Sequence, residues 1–381
     1  MRVALVHDWL ITEGGAEKCL EAMHRLFPQA PLYTLFYNPE LVEKMGFASG
    51  QVQASFLQGK RGIKENYRRY LPLYPLAVES LDLCEYDLIL SSSFCAAKGV
   101  LTRADQLHIC YCHSPARYAW DMTHSYLRDH NLEKGVKAKL ARLGLHYLRM
   151  WDAHSSSRVD DFIANSNYTA GRIWRAYRRK AEVVYPPVDL QMFGGNKGKS
   201  SYFIFVSRLV PYKKAPVVIE AFKKLGLPLK VVGDGPQMNT CRRLAGKNIE
   251  LLGWKEGREL AALLGSARAL VFAAEEDFGI VPVEAQAAGT PVIAYGRGGV
   301  TETVIPADGH NWETATGVFY QEQSAAALEA AVRRYLDWEG LFRREALHNN
   351  TLRFNKNIFT EKIDAYIKTR YNALANLSAG V

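Results

Sequence analysis

Two kinds of hydrophobic pattern alternate along this chain. Short, almost uninterrupted apolar runs occur at residues 3–6, 32–36, 87–90, 107–112, 162–165 and 183–185, and again at 202–206, 229–232, 249–252, 269–272, 291–295 and 318–320. Runs of this length without a polar alternate read as strands buried on both faces, as parallel strands are. Between them lie longer stretches of helical periodicity, such as Ala16, Cys19, Leu20 and Met23 after Glu13-Gly14-Gly15-Ala16-Glu17. A long helix is predicted from about Val136 to Arg158, with Leu140, Leu143, Leu148 and Trp151 as its apolar positions. Strand and helix in alternation predict an α/β chain with parallel sheets.

The alternation is interrupted once. Pro186-Pro187 and the run Gly194-Gly195-Asn196-Lys197-Gly198-Lys199-Ser200 break both periodicities, which places a linker over 187–200. A first domain then covers 1–186 and a second 201–358, each a Rossmann-like α/β unit. The amphipathic segment 359–381 is left over at the end. At 381 residues the chain is too long for a single core.

Chemistry concentrates after the run Ala269–Phe272, in Glu276-Asp277-Phe278-Gly279-Ile280-Val281-Pro282-Val283-Glu284. A strand, a tight loop and the first turn of a helix ended by Gly289 put free N–H groups and a positive dipole end at the edge of a sheet, which suits an anion such as a diphosphate. Glu276 in the loop and Glu284 in the first helical turn would reach groups on either side of it. The plainer reading leaves Glu276 solvated and Glu284 complementing the helix dipole. After the run Tyr202–Val206 come Ser207-Arg208-Leu209-Val210-Pro211-Tyr212-Lys213, with Arg208 and Lys213 as two cations, and after Val231-Val232 comes the turn Gly233-Asp234-Gly235-Pro236. In the first half, Gly14 and Gly15 allow close backbone approach after the first strand. The run Gln106–Cys112 ends at His113-Ser114-Pro115. No Gly-x-Gly-x-x-Gly follows the first strand, so a nicotinamide or flavin site lacks its main support. Cys110, Cys112 and His113 are too tightly spaced, and have no second cluster, for a zinc site.

Taken together these segments resemble the retaining GT-B glycosyltransferases of family 4. The resemblance rests on the Glu-x7-Glu element, the Arg208/Lys213 pair in an Arg-Leu-x3-Lys setting, the Gly-Asp-Gly-Pro turn and Cys-His-Ser-Pro-x-Arg-Tyr around His113, all in family order. It implies two Rossmann-like domains facing across a cleft, with the terminal helix crossing back to the first domain and hinge motion near Pro187 and Gly194-Gly195. It further implies Glu276, His113, Arg208 and Lys213 as catalytic residues. The donor site would be Gly14, Gly15, Arg208, Lys213, Gly233, Gly235, Phe278, Gly279, Ile280 and Glu284, with no metal and no cofactor beyond the nucleotide-sugar substrate. Glu275-Glu276-Asp277-Phe278-Gly279 and the His7-Asp8-Trp9 start are most similar to bacterial mannosyltransferases of surface-polysaccharide assembly, implying GDP-mannose as donor. A UDP- or dTDP-sugar donor, a non-catalytic sugar-nucleotide sensor or scaffold, and an epimerase are the alternatives.

Composition adds a partner and a place. Apolar residues make up 48% and charged residues 23% of the chain, enough for two proper cores. Six cysteines, mostly within apolar runs, are expected to be buried, reduced thiols of a cytoplasmic protein. No signal-peptide pattern and no apolar stretch of spanning length is read in the sequence, so export by that route and insertion in a membrane are not expected. The net charge of +9 raises the question of an anionic partner. Lys60, Arg61, Lys64, Arg68 and Arg69 lie among Tyr67, Tyr70, Leu71, Leu73, Tyr74 and Leu76, which suits a membrane interface or an anionic lipid carrier, or else a solvated face beside a buried segment. Nucleic acid is not expected, since no nucleic-acid motif accompanies the charge. With the resemblance, these features imply a lipid-diphosphate-linked glycan acceptor at the cytoplasmic face of the membrane.

Overall fold

The structure is a computed structural model that describes residues 1–129, 131–194 and 198–379. The chain divides into two compact units, Met1–Pro187 with Asn357–Val381, and Val188–Lys356. The first unit carries β1 (Val3–His7), β2 (Leu32–Thr34), β3 (Val52–Ala54), β4 (Leu88–Ser93), β5 (Leu107–Cys112), β6 (Asp161–Ala164) and β7 (Ala181–Val183). They form one parallel sheet in the order β3-β2-β1-β4-β5-β6-β7. The second unit carries β8 (Phe203–Val206), β9 (Leu229–Val232), β10 (Ile249–Gly253), β11 (Leu270–Phe272), β12 (Val292–Tyr295) and β13 (Gly317–Tyr320). These are also parallel, in the order β10-β9-β8-β11-β12-β13. In each unit the first strand is paired on both sides, so the order reverses between the first and fourth strands. Loops at the carboxyl ends of those two strands flank the crevice where doubly wound sheets bind ligands.

The apolar runs become strands because both sheet faces are covered: Leu88, Leu90, Leu107 and Ile109 lie in one core cluster, while Ile89 lies in another on the opposite face. The sequence pattern did not reveal β3. It is a three-residue edge strand whose Val52, Gln53 and Ala54 are only half covered or exposed, so it carries no apolar run. β7 lies two residues earlier than expected, and beyond it the Val184 N–H still bonds Ala164 O at 3.0 Å.

The expected linker is shorter than 187–200. Val188 bridges to Asn355, Asp189 caps the short helix Leu190–Phe193 and pairs with Lys356 at 3.2 Å, all within the second unit. Gly195, with Asn196 and Lys197, lies outside the described residues, and the hinge expectation there with it. The long helix spans Val136–Ser155, and Ser156–Arg158 continue as a 3-10 turn. Its buried apolar positions are Ala138, Leu145 and Leu148, with Asp152 and Ser155 buried near its end; Leu140 and Leu143, counted as part of the apolar pattern, face solvent.

The terminal helix Lys356–Ala379 belongs to the first unit. Phe359, Ile363 and Ile367, four residues apart and so on one helical face, enter the core around β1, β4 and β5. Phe359 meets the Tyr111 ring edge-on at 5.5 Å. Truncating this fully buried ring leaves a cavity that neighbours held by parallel strands cannot fill. Phe359→Ala is therefore expected to cost about 3–5 kcal/mol in urea unfolding of the first unit; an unchanged midpoint would show that the helix does not stabilise it.

Candidate active site

In the second unit the candidate residues converge at the strand-order reversal. Arg208 follows β8, and its guanidinium forms no ion pair among the described residues. Lys213 ends the 3-10 turn Pro211–Lys213 and is mostly covered. Glu276 follows β11, the neighbour of β8, and pairs directly with Lys213. An anion entering here would compete with Glu276 for the ammonium.

The helix after this loop is Ile280–Ala287, with Gly279 as its N-cap in the left-handed region at φ 89° and no side chain capping it. Its first N–H groups have no partner within the helix. Gly279 fits because a residue with a Cβ resists that φ. Phe278 is buried edge-on to Phe354 at 5.4 Å, which pins the loop from behind. Glu284 is buried and is the fifth residue of the helix, so it lies in the second turn and not the first.

Two glycine pairs set these loops. A Cβ on Gly233 would fall 1.8 Å from Ser207 O, and one on Gly235 2.7 Å from Leu209 O. The Gly233-Asp234-Gly235 turn thus lies directly against the backbone that carries Arg208, tied by Leu209 N–H to Asp234 O at 2.8 Å. The structure gives both glycines this supporting place beneath the cation loop. Gly298 and Gly299, which the sequence reading did not single out, do the same for Glu276. A Cβ on Gly298 would sit 2.4 Å from Glu276 O and one on Gly299 2.3 Å from Asp277 O, and the Gly299 N–H bonds Glu276 O at 2.8 Å. The only available signal was the glycine-rich run Gly296-Arg297-Gly298-Gly299 after a strand.

In the first unit His113 follows β5 and is buried. Its main chain is fixed by bonds to Ser93 O (2.8 Å) and from Asn165 Nδ2 (3.0 Å). Its Nε2 bonds Ser92 Oγ at 2.8 Å, and the same hydroxyl meets His7 Nδ1 at 3.1 Å. One hydroxyl holds one proton, so Ser92 donates to one imidazole and accepts from the other, coupling the two tautomers. His7 Nε2 lies 3.7 Å from Glu17 Oε1, beyond hydrogen-bond length. Glu17 stands in the first turn of the helix Gly15–Leu26, where the dipole favours it. Gly14 is its N-cap; a Cβ there would come within 2.9 Å of Glu17 Oε2, and Gly15 starts the helix. His7, Glu17 and Ser92 received no role from sequence; only the folding of β1 and β4 side by side brings them to His113. Asp8 locks the two loops together by accepting four N–H groups, from Phe94, Cys95, Ala96 and Ala97, at 2.5–3.0 Å.

The basic segment is partly what the sequence implied. Lys60, Arg61, Lys64, Arg68 and Arg69 are all exposed. Its aromatic part is mostly core: Tyr74 is buried, and Tyr67, Tyr70 and Leu71 pack partly against the same cluster. Leu73 and Leu76 alone of the six apolar residues stand out to solvent, at 38% and 60% exposure. Cys19, Cys95, Cys110, Cys112 and Cys241 are buried free thiols and Cys84 is exposed. No helix among the described residues is long and apolar enough to cross a membrane.

Residues 17–192 match Glycosyltransferase Family 4 and residues 189–353 match Glycosyl transferases group 1. An uncharacterized glycosyltransferase of Methanocaldococcus jannaschii is 29% identical over 233 residues, 60% of this chain and 64% of that one. A GDP-mannose-dependent monoacylated alpha-(1-6)-phosphatidylinositol monomannoside mannosyltransferase of Corynebacterium glutamicum is 38% identical over 119 residues, 27% of this chain and 31% of that one. The matched segments thus span less than two thirds of these relatives' lengths, 64% of the first and 31% of the second. Among solved structures, HepE of Anabaena in complex with UDP superposes with a TM-score of 0.69 at 17% identity, over 97% of this chain and 100% of that chain. The fold is that of the GT-B glycosyltransferases, built of two parallel-sheet α/β units. The chain carries the features of glycosyltransferase family 4 and group 1, in its first and second parts respectively.

Burial, and next the charge of His7, press the His113 pKa down to about 3; burial likewise brings His108 to about 4. Both lie below the usual imidazole value of 6.5, so the unfolded chain takes up these protons first. Stability is then full above about pH 6.5 and falls as pH drops below it towards the folded values, by on the order of 2 kcal/mol per histidine at pH 5. Denaturant unfolding at pH 7.5 and pH 5 tests this. The slope is expected to shrink in His108→Asn, and equal stability at both pH values would contradict the burial argument.

Proposed function

We propose that this protein is a retaining hexosyltransferase. It takes a sugar from a nucleotide diphosphate, mannose from GDP-mannose in the first instance, and moves it to a hydroxyl of a lipid-diphosphate-linked glycan in surface-polysaccharide assembly. The observation that carries the reading is the convergence of Arg208, Lys213, Glu276 and the uncapped start of the Ile280–Ala287 helix at the strand-order reversal of the second unit. Arg208 and Lys213 hold the diphosphate with the N–H groups near Gly279, and stabilise the charge that grows on the β-phosphate as the sugar leaves. In a sugar nucleotide the anomeric carbon is bonded to that phosphate. A carboxylate in contact with the phosphate-binding ammonium therefore stands where the sugar hydroxyls lie, which fits Glu276 to orienting the sugar. In this reading Glu284, buried in the second helical turn, binds the ribose hydroxyls.

The reaction breaks the bond from the anomeric carbon to the phosphate oxygen and forms one from that carbon to the acceptor oxygen on the same face. The acceptor proton passes to the departing phosphate oxygen, so no separate base is required. His113, kept neutral by burial, then serves as a hydrogen-bonding group. The preference for GDP-mannose draws support from the mannosyltransferase relative; a UDP-sugar donor draws support from the UDP bound to HepE. The lipid carrier draws support from the exposed cations between Lys60 and Arg69.

A panel of sugar nucleotides screened by thermal shift tests the donor. A ligand at about 100 times its Kd adds about 2.7 kcal/mol of stability. GDP-mannose is expected to stabilise the protein; stabilisation by UDP or dTDP sugars alone would move the assignment to those donors.

Glu276→Ala is expected to lower turnover by roughly 10- to 150-fold, the equivalent of about 1.5–3 kcal/mol for a charge-assisted hydrogen bond. Glu284→Ala is expected to act mainly on donor binding. Full turnover by well-folded Glu276→Ala protein would remove that residue from catalysis.

With two cations and a helix terminus on the diphosphate, transfer is expected to proceed without a divalent ion. Activity abolished by EDTA and restored by magnesium or manganese would contradict this.

A further inference from the structure

The Val136–Ser155 helix of the first unit carries two apolar faces, and only one is used by the fold. Ala138, Leu145 and Leu148 turn into the unit. On the other side Val136, Leu140, Leu143, Tyr147 and Met150 are 73%, 63%, 65%, 44% and 53% exposed. Their spacing, alternately four and three residues, keeps them within a stripe about 80° wide and about 21 Å long on a helix of 3.6 residues per turn. Scattered exposed apolar residues are ordinary, but five in a continuous stripe on one helix are not.

Charge decides what covers it. Between Lys134 and Met150 the sequence has Lys134, Lys137, Lys139, Arg142 and Arg149 and no Asp or Glu. Lys137 flanks one side of the stripe, and Lys139 and Arg142 the other. A second copy of this helix laid along the stripe would bring like charges together with no acidic partner, which opposes self-pairing. An apolar band edged by cations matches an anionic bilayer surface, where the apolar side chains enter the headgroup boundary and the ammonium and guanidinium groups meet phosphates. The lower end of the helix is tied to the other basic segment. Glu79, at the end of the helix Tyr74–Glu79 that carries exposed Leu76, accepts from Trp151 Nε1 at 2.8 Å and Arg158 Nη1 at 2.6 Å.

We infer that the Val136–Met150 face of this helix docks the protein on an anionic lipid surface, with the apolar stripe inserted and Lys137, Lys139 and Arg142 on headgroups. The inference deepens the reading of a lipid-linked acceptor and rests on it for its purpose. The docking itself stands on the stripe and its charges.

Co-sedimentation with vesicles of phosphatidylcholine containing roughly one-third phosphatidylglycerol tests it, against vesicles of phosphatidylcholine alone. The protein is expected to bind the anionic vesicles and to release as salt rises. Leu140→Glu with Leu143→Glu should weaken binding by roughly tenfold or more, and Lys137→Glu with Lys139→Glu and Arg142→Glu should remove the preference for anionic lipid. All five positions are exposed, and an unchanged circular dichroism melt in each variant certifies the fold. Undiminished vesicle binding by the leucine variant overturns the proposal. So does a parent protein that ignores vesicles, including one that forms a dimer broken by Leu143→Glu, which would assign the stripe to a second copy. Stabilisation by sugar nucleotides is measured on the same samples: its absence from the parent counts against the transferase reading alone, while its persistence in the leucine variant, with vesicle binding lost, separates docking from donor binding.

Discussion

Parallel pairing on both sides of the first strand organises each half of this protein. β1 is held between β2 and β4, and β8 between β9 and β11. Because all strands run the same way, every strand-to-helix loop on that edge opens in one direction, and the two chains of connection leave the central strands on opposite sides. The space between those connections is where loops need not cover one another. In the second unit this brings residues 68 positions apart, Arg208 and Glu276, onto neighbouring strands, and Lys213 into contact with the carboxylate. In the first it brings His7 and Ser92 together, with His113 one strand farther on.

The loops so gathered are held by backbone contact more than by side chains. Gly233 and Gly235 lie against Ser207 and Leu209, and Gly298 and Gly299 against Glu276, Asp277 and Phe278. At such distances no Cβ fits, so two loops share one wall and the backbone carrying the charged residue is held by direct contact. Such support matters for stabilising developing charge, since the advantage of fixed dipoles and cations is that they need not reorganise during the reaction. The ion pair of Lys213 and Glu276 is a further constraint: it keeps two partly covered charges satisfied.

The first unit uses burial in the same way. His113 is enclosed by Tyr111, Phe94 and the Ser92–His7 pair, and the resulting cost of charge keeps the imidazole neutral. Nearby, the Asp8 carboxylate spends its acceptor capacity on four backbone N–H groups and so sets the geometry of the loop after β4. Positive charge within this unit is buried at Lys98, paired with Asp152 at 2.7 Å, whereas the cations of the Lys60–Arg69 segment and most of those along the Val136–Ser155 helix stand on its outside.

The sequence by itself determined the class of fold and drew attention to the candidate charged segments. Uninterrupted apolar runs can persist only where both faces of a sheet are covered, so parallel α/β units followed from pattern alone, and the carboxylate and cation segments stood out by residue type and by position after strands. Local pattern could not show β3, whose half-covered edge position asks for no apolar run, nor which leucines of a long helix face inward: Leu148 is buried while Leu140 and Leu143 are not. It likewise divided Tyr74 from Leu76 only after folding, although both sit in one basic stretch. The pairing of Lys213 with Glu276, the Ser92 bridge between two imidazoles and the glycines beneath the site loops were decided by tertiary structure. Each depends on which strands lie side by side, and strand order is set by contacts between residues far apart in the chain, which no local periodicity records.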